Sequence, residues 1–304
     1  MLDLRRLAVF REVAERGSFS HAAEELGYTQ SVVSHHVAQL ERGLGVSLFE
    51  RGRRPVRLTP AGERLRIHAG SVLGAAAAAE DEMRALAGLE TGLVRIGAFL
   101  SACATFVPEA IGAFEALHPG VEVRLIQEEP PAALARLVAG ELDLAVIFEE
   151  HDDSPAADPR HERVALAEDA YRFVCHPAHR LARRREVGFA DLRDERFIAP
   201  RAAGGGLRYR ALVERWCAEE GFEPNFAYTV DDVTVARTFA AAGLAVGIMP
   251  NMTVGHPRPD VAVKPIRGVG AFRTIEVRWL RGRRMAGVAP MVAQLRKAAG
   301  ARLR

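Results

Sequence analysis

The chain has 304 residues, which at about 150 residues per domain suits two domains, or one small domain beside a larger bilobed one. Apolar residues make up 49% and charged residues 26%, the balance of a globular protein, and this excludes a disordered or fibrous chain. A net charge of +2 excludes a wholly basic nucleic-acid coat, so any nucleic-acid contact must come from a local patch.

Leu4, Leu7, Phe10 and Val13 form a helical apolar stripe that ends at Gly17. Ser20 is the expected N-cap of a second helix, 21–26, stopped by Gly27. Thr29 is that of a third, 30–42, stopped by Gly43. Two helices separated by a short Gly-containing turn have the spacing of a helix-turn-helix. A basic loop follows, from Arg51 through Arg53 and Arg54 to Arg57, flanked by Leu48-Phe49 and by Val56 to Leu58, as in a small β-hairpin wing.

Thr59-Pro60 opens a long helix with a cap and then proline at the first helical position. Its pattern runs to about Gly88, ~43 Å at 1.5 Å per residue. The seam Leu65, Ala69, Val72, Ala76, Ala79, Met83 and Leu86 is spaced 4-3-4-3-4-3, a heptad pattern. A helix packed on its own domain reads the same way. The position between two modules and the many alanines favour a linker that dimerises at close range through Leu65, Val72, Ala76, Ala79 and Met83.

From Leu93 the period changes. Strand 93–98, helix 105–117, strand 121–127, helix 134–139 and the apolar run 142–148 imply a parallel sheet covered on both faces. Strands at 171–175, 197–199, 226–229, 244–248, 261–266 and 275–280, with helices at 207–220, 233–241 and 288–299, fill two α/β lobes of similar length. Thr238 to Pro257 carries no Asp, Glu, Lys or Arg. Its glycines and Pro250 suit a helix, turn and buried strand better than a membrane span.

On a helical wheel of about 100° per residue, Val33, Val37, Leu40 and Leu44 form a buried stripe on the third helix. The remaining surface shows Gln30, Ser31, Ser34, His35, Ala38 and Arg42, with no Asp or Glu among them. Such a face can enter a major groove: Gln bonds adenine bidentately, Ser and His meet base edges, and nothing repels phosphate. Helix starts at Ser20 and Thr29 offer N–H groups to the DNA backbone. Residues 51–66 hold six arginines and one acid, Glu63, a positive patch that the overall charge conceals. An ordinary solvated helix beside a charged loop would show the same periodicity.

The segment Gly17-Ser-Phe-Ser-His-Ala-Ala-Glu-Glu-Leu-Gly-Tyr-Thr-Gln-Ser-Val-Val-Ser-His-His-Val-Ala-Gln-Leu-Glu41 strongly resembles the signature of LysR-type transcriptional regulators. So do Leu44-Gly-Val-Ser-Leu-Phe-Glu-Arg51 and Arg57-Leu-Thr-Pro-Ala-Gly62, and further along Gly140-Glu-Leu-Asp-Leu-Ala-Val146 and Ala242-Gly-Leu-Ala-Val-Gly-Ile-Met-Pro250. The resemblance implies an α-helical winged helix-turn-helix domain over 1–59 and a linker and dimerisation helix over 60–90. It implies a two-lobed α/β, periplasmic-binding-protein-like effector domain over 91–304, with lobe 1 about 91–163 and 268–304 and lobe 2 about 164–267. Carried over by position, Gln30, Ser31, Ser34 and His35 read bases, and Arg53 or Arg54 reaches the minor groove. One position departs: the family often has Arg where this chain has His35, a shorter and titratable side chain. The partners implied are promoter DNA, a small-molecule effector and further copies of the chain, as homodimer or homotetramer.

Ligands of such sheets sit outside the carboxyl ends of parallel strands. That places Ser101, Ala102, Cys103 and Thr105 after the first strand and Phe148 at the end of the third. Hydroxyls and helix N–H groups there suit a small anion. Across the cleft Arg201 can pair an anion, and the glycines that include Gly204 permit close backbone approach. Three glycines in a row serve a flexible loop equally well. Asp231-Asp232 reads as a helix cap, and the acid-rich segment 128–153 as a solvated face kept away from DNA.

An enzyme is the competing class, but G-x-S-x-G, G-x-x-x-x-G-K-[ST], H-E-x-x-H and G-x-G-x-x-G are all missing, and no cofactor or metal is expected. His176 and His179 in an Arg-rich loop are weak evidence for metal. Cys103, Cys175 and Cys217 lie far apart with no C-x-x-C pair, which suits a reducing cytosol and leaves Cys103 a small buried residue rather than a redox sensor. Asp3, Arg5, Arg6 and Arg11 leave no apolar run for a signal peptide, so a cytoplasmic protein is expected.

Overall fold

The computed structural model describes residues 2–50, 56–86, 92–150, 158–201, 205–255, 259–267, 272–281 and 287–303. The chain starts with α1 (Leu4–Arg16), opened by the Asp3 carboxylate, which accepts the N–H groups of Arg5 and Arg6. α2 (Phe19–Leu26) is capped by Ser18, not Ser20. Starting the helix there sets the Phe19 ring on Phe49, centroids 5.4 Å apart, and leaves Ser20 in the first turn. Thr29 caps α3 (Gln30–Leu44) as expected.

The end of α3 differs from the expected stop at Gly43. The helix runs on to Leu44, and Gly45 takes the left-handed position at φ 71°. Glu41 explains the extra turn, because its Oε1 accepts the N–H of Leu48 at 2.6 Å and holds the helix end against the wing. Leu44 consequently points to solvent rather than joining the buried stripe. The wing is an antiparallel pair bridging Phe49 and Leu58, with Glu50 N–H donating to Arg57 O at 2.8 Å. Leu7, Phe10, Val13, Ala22, Val33, Val37, Leu40 and Leu48 close the core of this module.

Next comes the linker, α4 (Pro60–Leu86). Thr59 Oγ1 accepts the N–H of Gly62 and donates to Ser47 O, fixing the exit from the wing. Residues 87–90 of the expected linker lie outside the described residues.

The rest of the chain runs β1 (Gly92–Ala98), α5 (Leu100–Cys103), α6 (Val107–Leu117), β2 (Val121–Gln127), α7 (Pro130–Val138), β3 (Leu144–Glu150) and β4 (His161–Cys175). It continues as β5 (Val187–Gly188), β6 (Arg196–Ala199), α8 (Gly205–Glu219), β7 (Asn225–Thr229), α9 (Val233–Ala241), β8 (Gly247–Pro250), α10 (Asn251–Val254), β9 (Ala262–Arg267), β10 (Phe272–Leu280) and α11 (Val288–Arg302). β2, β1 and β3 pair in parallel, as the alternating pattern requires. The sheet is nevertheless mixed, because β10 lies antiparallel between β3 and β4.

β4 was visible in sequence only at its apolar end, 171–175. Its first ten residues include Glu162, Arg163, Glu168 and Asp169, which hide the strand. This strand joins the two lobes: up to Ala170 it pairs with β10, and from Tyr171 it pairs with β8 and β9. Lobe 1 packs Ile96, Phe114, Val146, Ile275, Val277 and Leu295 between the sheet and the helices α6 and α11. Lobe 2 packs Phe173, Phe197, Val213, Trp216 and Ile248. The uncharged stretch after Arg237 is the end of α9, a turn, β8 and α10. Among the described residues no helix is long and apolar enough to cross a membrane.

Candidate functional site

Two regions collect the residues singled out in the sequence. On α3, Val33, Val37 and Leu40 are buried, while Gln30, Ser31, Val32, Ser34, His35, Ala38 and Arg42 are exposed together. The one acid of this helix, Glu41, is engaged with the wing, so the exposed face carries no carboxylate. Ser20 Oγ donates to Gln30 Oε1 at 3.2 Å and ties the two helices across the turn. Thr29 Oγ1 and Ser31 Oγ are 2.9 Å apart, and His35 Nε2 lies 3.4 Å from Gln39 Nε2. Behind the turn Arg5 donates twice to the Tyr28 hydroxyl, which raises the Arg5 pKa further and fixes α1 to the helix-turn-helix. Arg51, Arg53 and Arg54 at the wing tip lie outside the described residues.

The linker seam divides. Leu65, Ala69 and Leu73 pack on the core of the winged module of their own chain. Val72, Ala79 and Met83 are exposed and Ala76 half-buried, so only the C-terminal part of the expected seam is open.

The second region is where β4 passes from lobe 1 to lobe 2. Ser101 is buried, and its Oγ accepts Arg273 Nη2 at 2.9 Å. Arg273, 4% exposed, lies against the faces of Phe148 and Phe99, with its guanidinium carbon 4.4 and 5.1 Å from the ring centroids. Arg273 Nε donates to Asp169 Oδ2 at 3.0 Å, and Asp169 Oδ1 accepts the N–H of Met252 at 2.9 Å. Asp169 is 1% exposed. A buried charge of this kind is tolerable only when paired and hydrogen-bonded. The network therefore locks β10, β4 and α10 at the point where the chain passes between lobes. Nearby, Glu150 accepts the Tyr171 hydroxyl at 2.7 Å, and burial pushes the Tyr171 pKa well up.

Several expected contacts fall elsewhere. Ala102 is fully buried in the lobe 1 core, where its side chain cannot meet a ligand. Thr105 spends its hydroxyl on Ser101 O at 2.6 Å, because the expected helix 105–117 starts only at Val107 and Thr105 lies in the turn between α5 and α6. Arg201 does not stand free: its N–H and Nε donate to Asp231 at 2.9 and 2.6 Å. Gly204 lies outside the described residues.

Cys103 is half-buried over Ala98 O, and burial pushes its thiol pKa up. That disfavours the thiolate on which a redox sensor relies. Asp232 caps α9 as expected. His176 and His179 accept the N–H groups of Ala178 and Leu181, so they cap turns. The acid-rich segment is not a solvated face throughout. Asp143 is buried against Arg95, and Glu149 meets Arg278.

Arg273 and Asp169 were missed in the sequence. The available signal was an arginine at the same two-residue alternation as the inward Ile275 and Val277 of β10.

A helix-turn-helix with a β-hairpin wing, joined by one long helix to a two-lobed α/β domain, defines a DNA-binding protein with a ligand-binding module. Residues 4–63 match the family model "Bacterial regulatory helix-turn-helix protein, lysR family", and residues 87–300 match "LysR substrate binding domain". The chain belongs to the LysR family of DNA-binding transcriptional regulators, which carry an effector-binding domain and are not enzymes. It is 32% identical to the HTH-type transcriptional regulator CfxR of Cupriavidus necator, over 84% of this chain and 77% of that one. It is 31% identical to CbbR of Rhodospirillum rubrum, over 97% and 96%. Among solved structures, full-length CbnR complexed with its target DNA aligns with a TM-score of 0.66 and 26% identity, covering 98% of this chain and 100% of that one.

Proposed function

We propose that α3 lies in the major groove of an operator and reads it through Gln30, Ser31, Ser34 and His35. In this reading Ser20, Thr29 and the wing arginines Arg51, Arg53 and Arg54 hold the DNA backbone and minor groove. The observation that carries it is the α3 face: seven exposed residues without a carboxylate, backed by a buried Val33, Val37 and Leu40. Gln30→Ala is expected to cost about 1–3 kcal/mol on operator DNA and little on random DNA. Arg53→Ala weakens both and lowers the salt slope by about one for each phosphate it no longer neutralises. Titrations on the two DNAs at several salt concentrations separate these cases. Equal losses on both DNAs for Gln30→Ala remove α3 from the groove.

The regulator acts in the cytoplasm on paired chains, joined through Val72, Ala76, Ala79 and Met83. A small anionic effector sits between the lobes at Ser101, Phe148 and Arg273. Arg273 takes the role expected of Arg201, since Nε and Nη2 serve Asp169 and Ser101 while Nη1 has no hydrogen-bond partner among the described residues. A screen of small carboxylates by calorimetry, repeated on Ser101→Ala, tests the pocket. A hydrogen bond to a charged group is worth about 1.5–3 kcal/mol, so affinity for the effector falls by roughly 10–150-fold while ligand-free DNA affinity holds. Unaltered affinity moves the pocket.

A further inference from the structure

The nine-residue helix α7 reaches from the neighbourhood of Arg273 to the long helix α4. At its start, Glu129 is the cap position, two residues after the end of β2. Glu129 is exposed by area, yet packing around it desolvates the carboxyl and pushes its pKa up, with the charge of Arg273 pulling the other way. The preceding residue, Glu128, donates its N–H to Ala98 O, at the end of the strand that leads into the cleft. One face of α7 is fixed in lobe 1 by Ala133 and Leu137, both fully buried with Leu142, Ala145 and Ile147. A nine-residue helix is about 13 Å long.

The far end of α7 meets α4 backbone to backbone. A Cβ added at Gly70 would lie 1.4 Å from Ala139 O, and one at Gly140 would lie 2.4 Å from Gly70 O. Gly140 also sits at φ 74°, a conformation that side-chain-bearing residues rarely adopt. Ser71 Oγ donates to Val138 O at 2.9 Å, so the contact is hydrogen-bonded as well as close. α1 lies over the same corner. Its Glu15 is partly desolvated there, in the opposing fields of Glu141 and of Arg136, which itself bridges Glu128 and Glu141.

We propose that α7 is the mechanical link between the cleft and the DNA-binding arm, passing displacement at its Glu129 end to the docking contact of Gly70 with Ala139 and Gly140. This rests on reading the cleft as the effector site. The physical reason is stiffness. A contact between main chains has no rotamers with which to absorb a shift, and close-packed interiors transmit strain. When α7 moves, α4 must follow or separate, and either outcome changes where the winged module stands. The docking sets the arm angle in the ligand-free protein.

The experiment uses full-length protein without ligand. Gly70→Ala forces α4 off the turn while favouring the helix itself, and Ser71→Ala removes the hydrogen bond without adding bulk. The control is Gly112→Ala on α6, where an added Cβ meets nothing within 4 Å. Small-angle scattering should show a larger radius of gyration for Gly70→Ala, a smaller rise for Ser71→Ala and none for the control. Footprints on the promoter of its own gene should change in the same order.

Glu129→Gln then tests the cleft end. It should shift operator affinity by about fivefold in the otherwise native chain and leave it unmoved in the Gly70→Ala background, as a coupling between sites requires. Unchanged scattering and footprint for Gly70→Ala would overturn the proposal. So would an equal Glu129→Gln shift in both backgrounds, or no shift in either. If the effector binds elsewhere, the calorimetry of Ser101→Ala reveals it, and the Gly70 results are untouched.

Discussion

Ala76→Asp is expected to dissociate the paired chains and to abolish operator binding in the same step. The first two positions of the α4 seam are already taken, because Leu65 and Ala69 pack on their own module. What remains for a partner is Val72, Ala76, Ala79 and Met83, spaced 4, 3 and 4. Small residues at its centre let two helices approach closely, so a carboxylate at 76 would be desolvated without a cation to meet it. An unpaired buried charge costs several kcal/mol. An operator reader of this kind needs two recognition helices at a fixed spacing, about 34–36 Å or multiples of it. Separating the pair therefore costs far more than removing any one base-reading side chain. Light scattering and gel-shift titration of Ala76→Asp against Glu80→Asp decide the matter. A native mass with native operator affinity would show that another surface sets the spacing.

The second large effect is on stability. Arg273→Met should destabilise the effector domain by about 3–5 kcal/mol, the usual result of stripping the partner from a buried charge. Asp169, 1% exposed, would keep only the Met252 N–H as a partner in this network. For a domain of this size that lowers the Tm by roughly 6–20 °C. Adding Asp169→Asn removes the stranded charge while keeping an acceptor for Met252, and should recover part of the loss. Thermal unfolding of the wild type, the single variant and the double variant gives the answer. A single variant that melts with the wild type would mean that Arg273 and Asp169 are not paired in solution.

Much of the DNA-binding half is legible because its signals are local. Thr29 caps α3 with its own hydroxyl, and the buried stripe of Val33, Val37 and Leu40 repeats at the helical period. The errors there are of one kind. Ser18 and Ser20 can both cap a helix, and Gly43 and Gly45 can both end one. The choice between them was made by Phe19 settling on Phe49 and by Glu41 reaching the wing, contacts between elements that no local pattern encodes.

The effector half shows the same division more sharply. By itself the sequence determined the alternation of strands and helices, the parallel pairing of the first three strands of the effector domain and the family, because apolar periodicity and a dense motif are written along the chain. It also determined that Ser101 and Phe148 lie near the ends of parallel strands. Only the tertiary structure decided which charges meet. Arg273 reaches Asp169 across 104 residues because β10 lies antiparallel to β4, and Arg201 is taken by Asp231 across 30. The heptad seam was readable too, but its use was not. Burial against the winged module consumes Leu65 and Ala69, and that burial depends on neighbours whose positions a helical repeat does not contain.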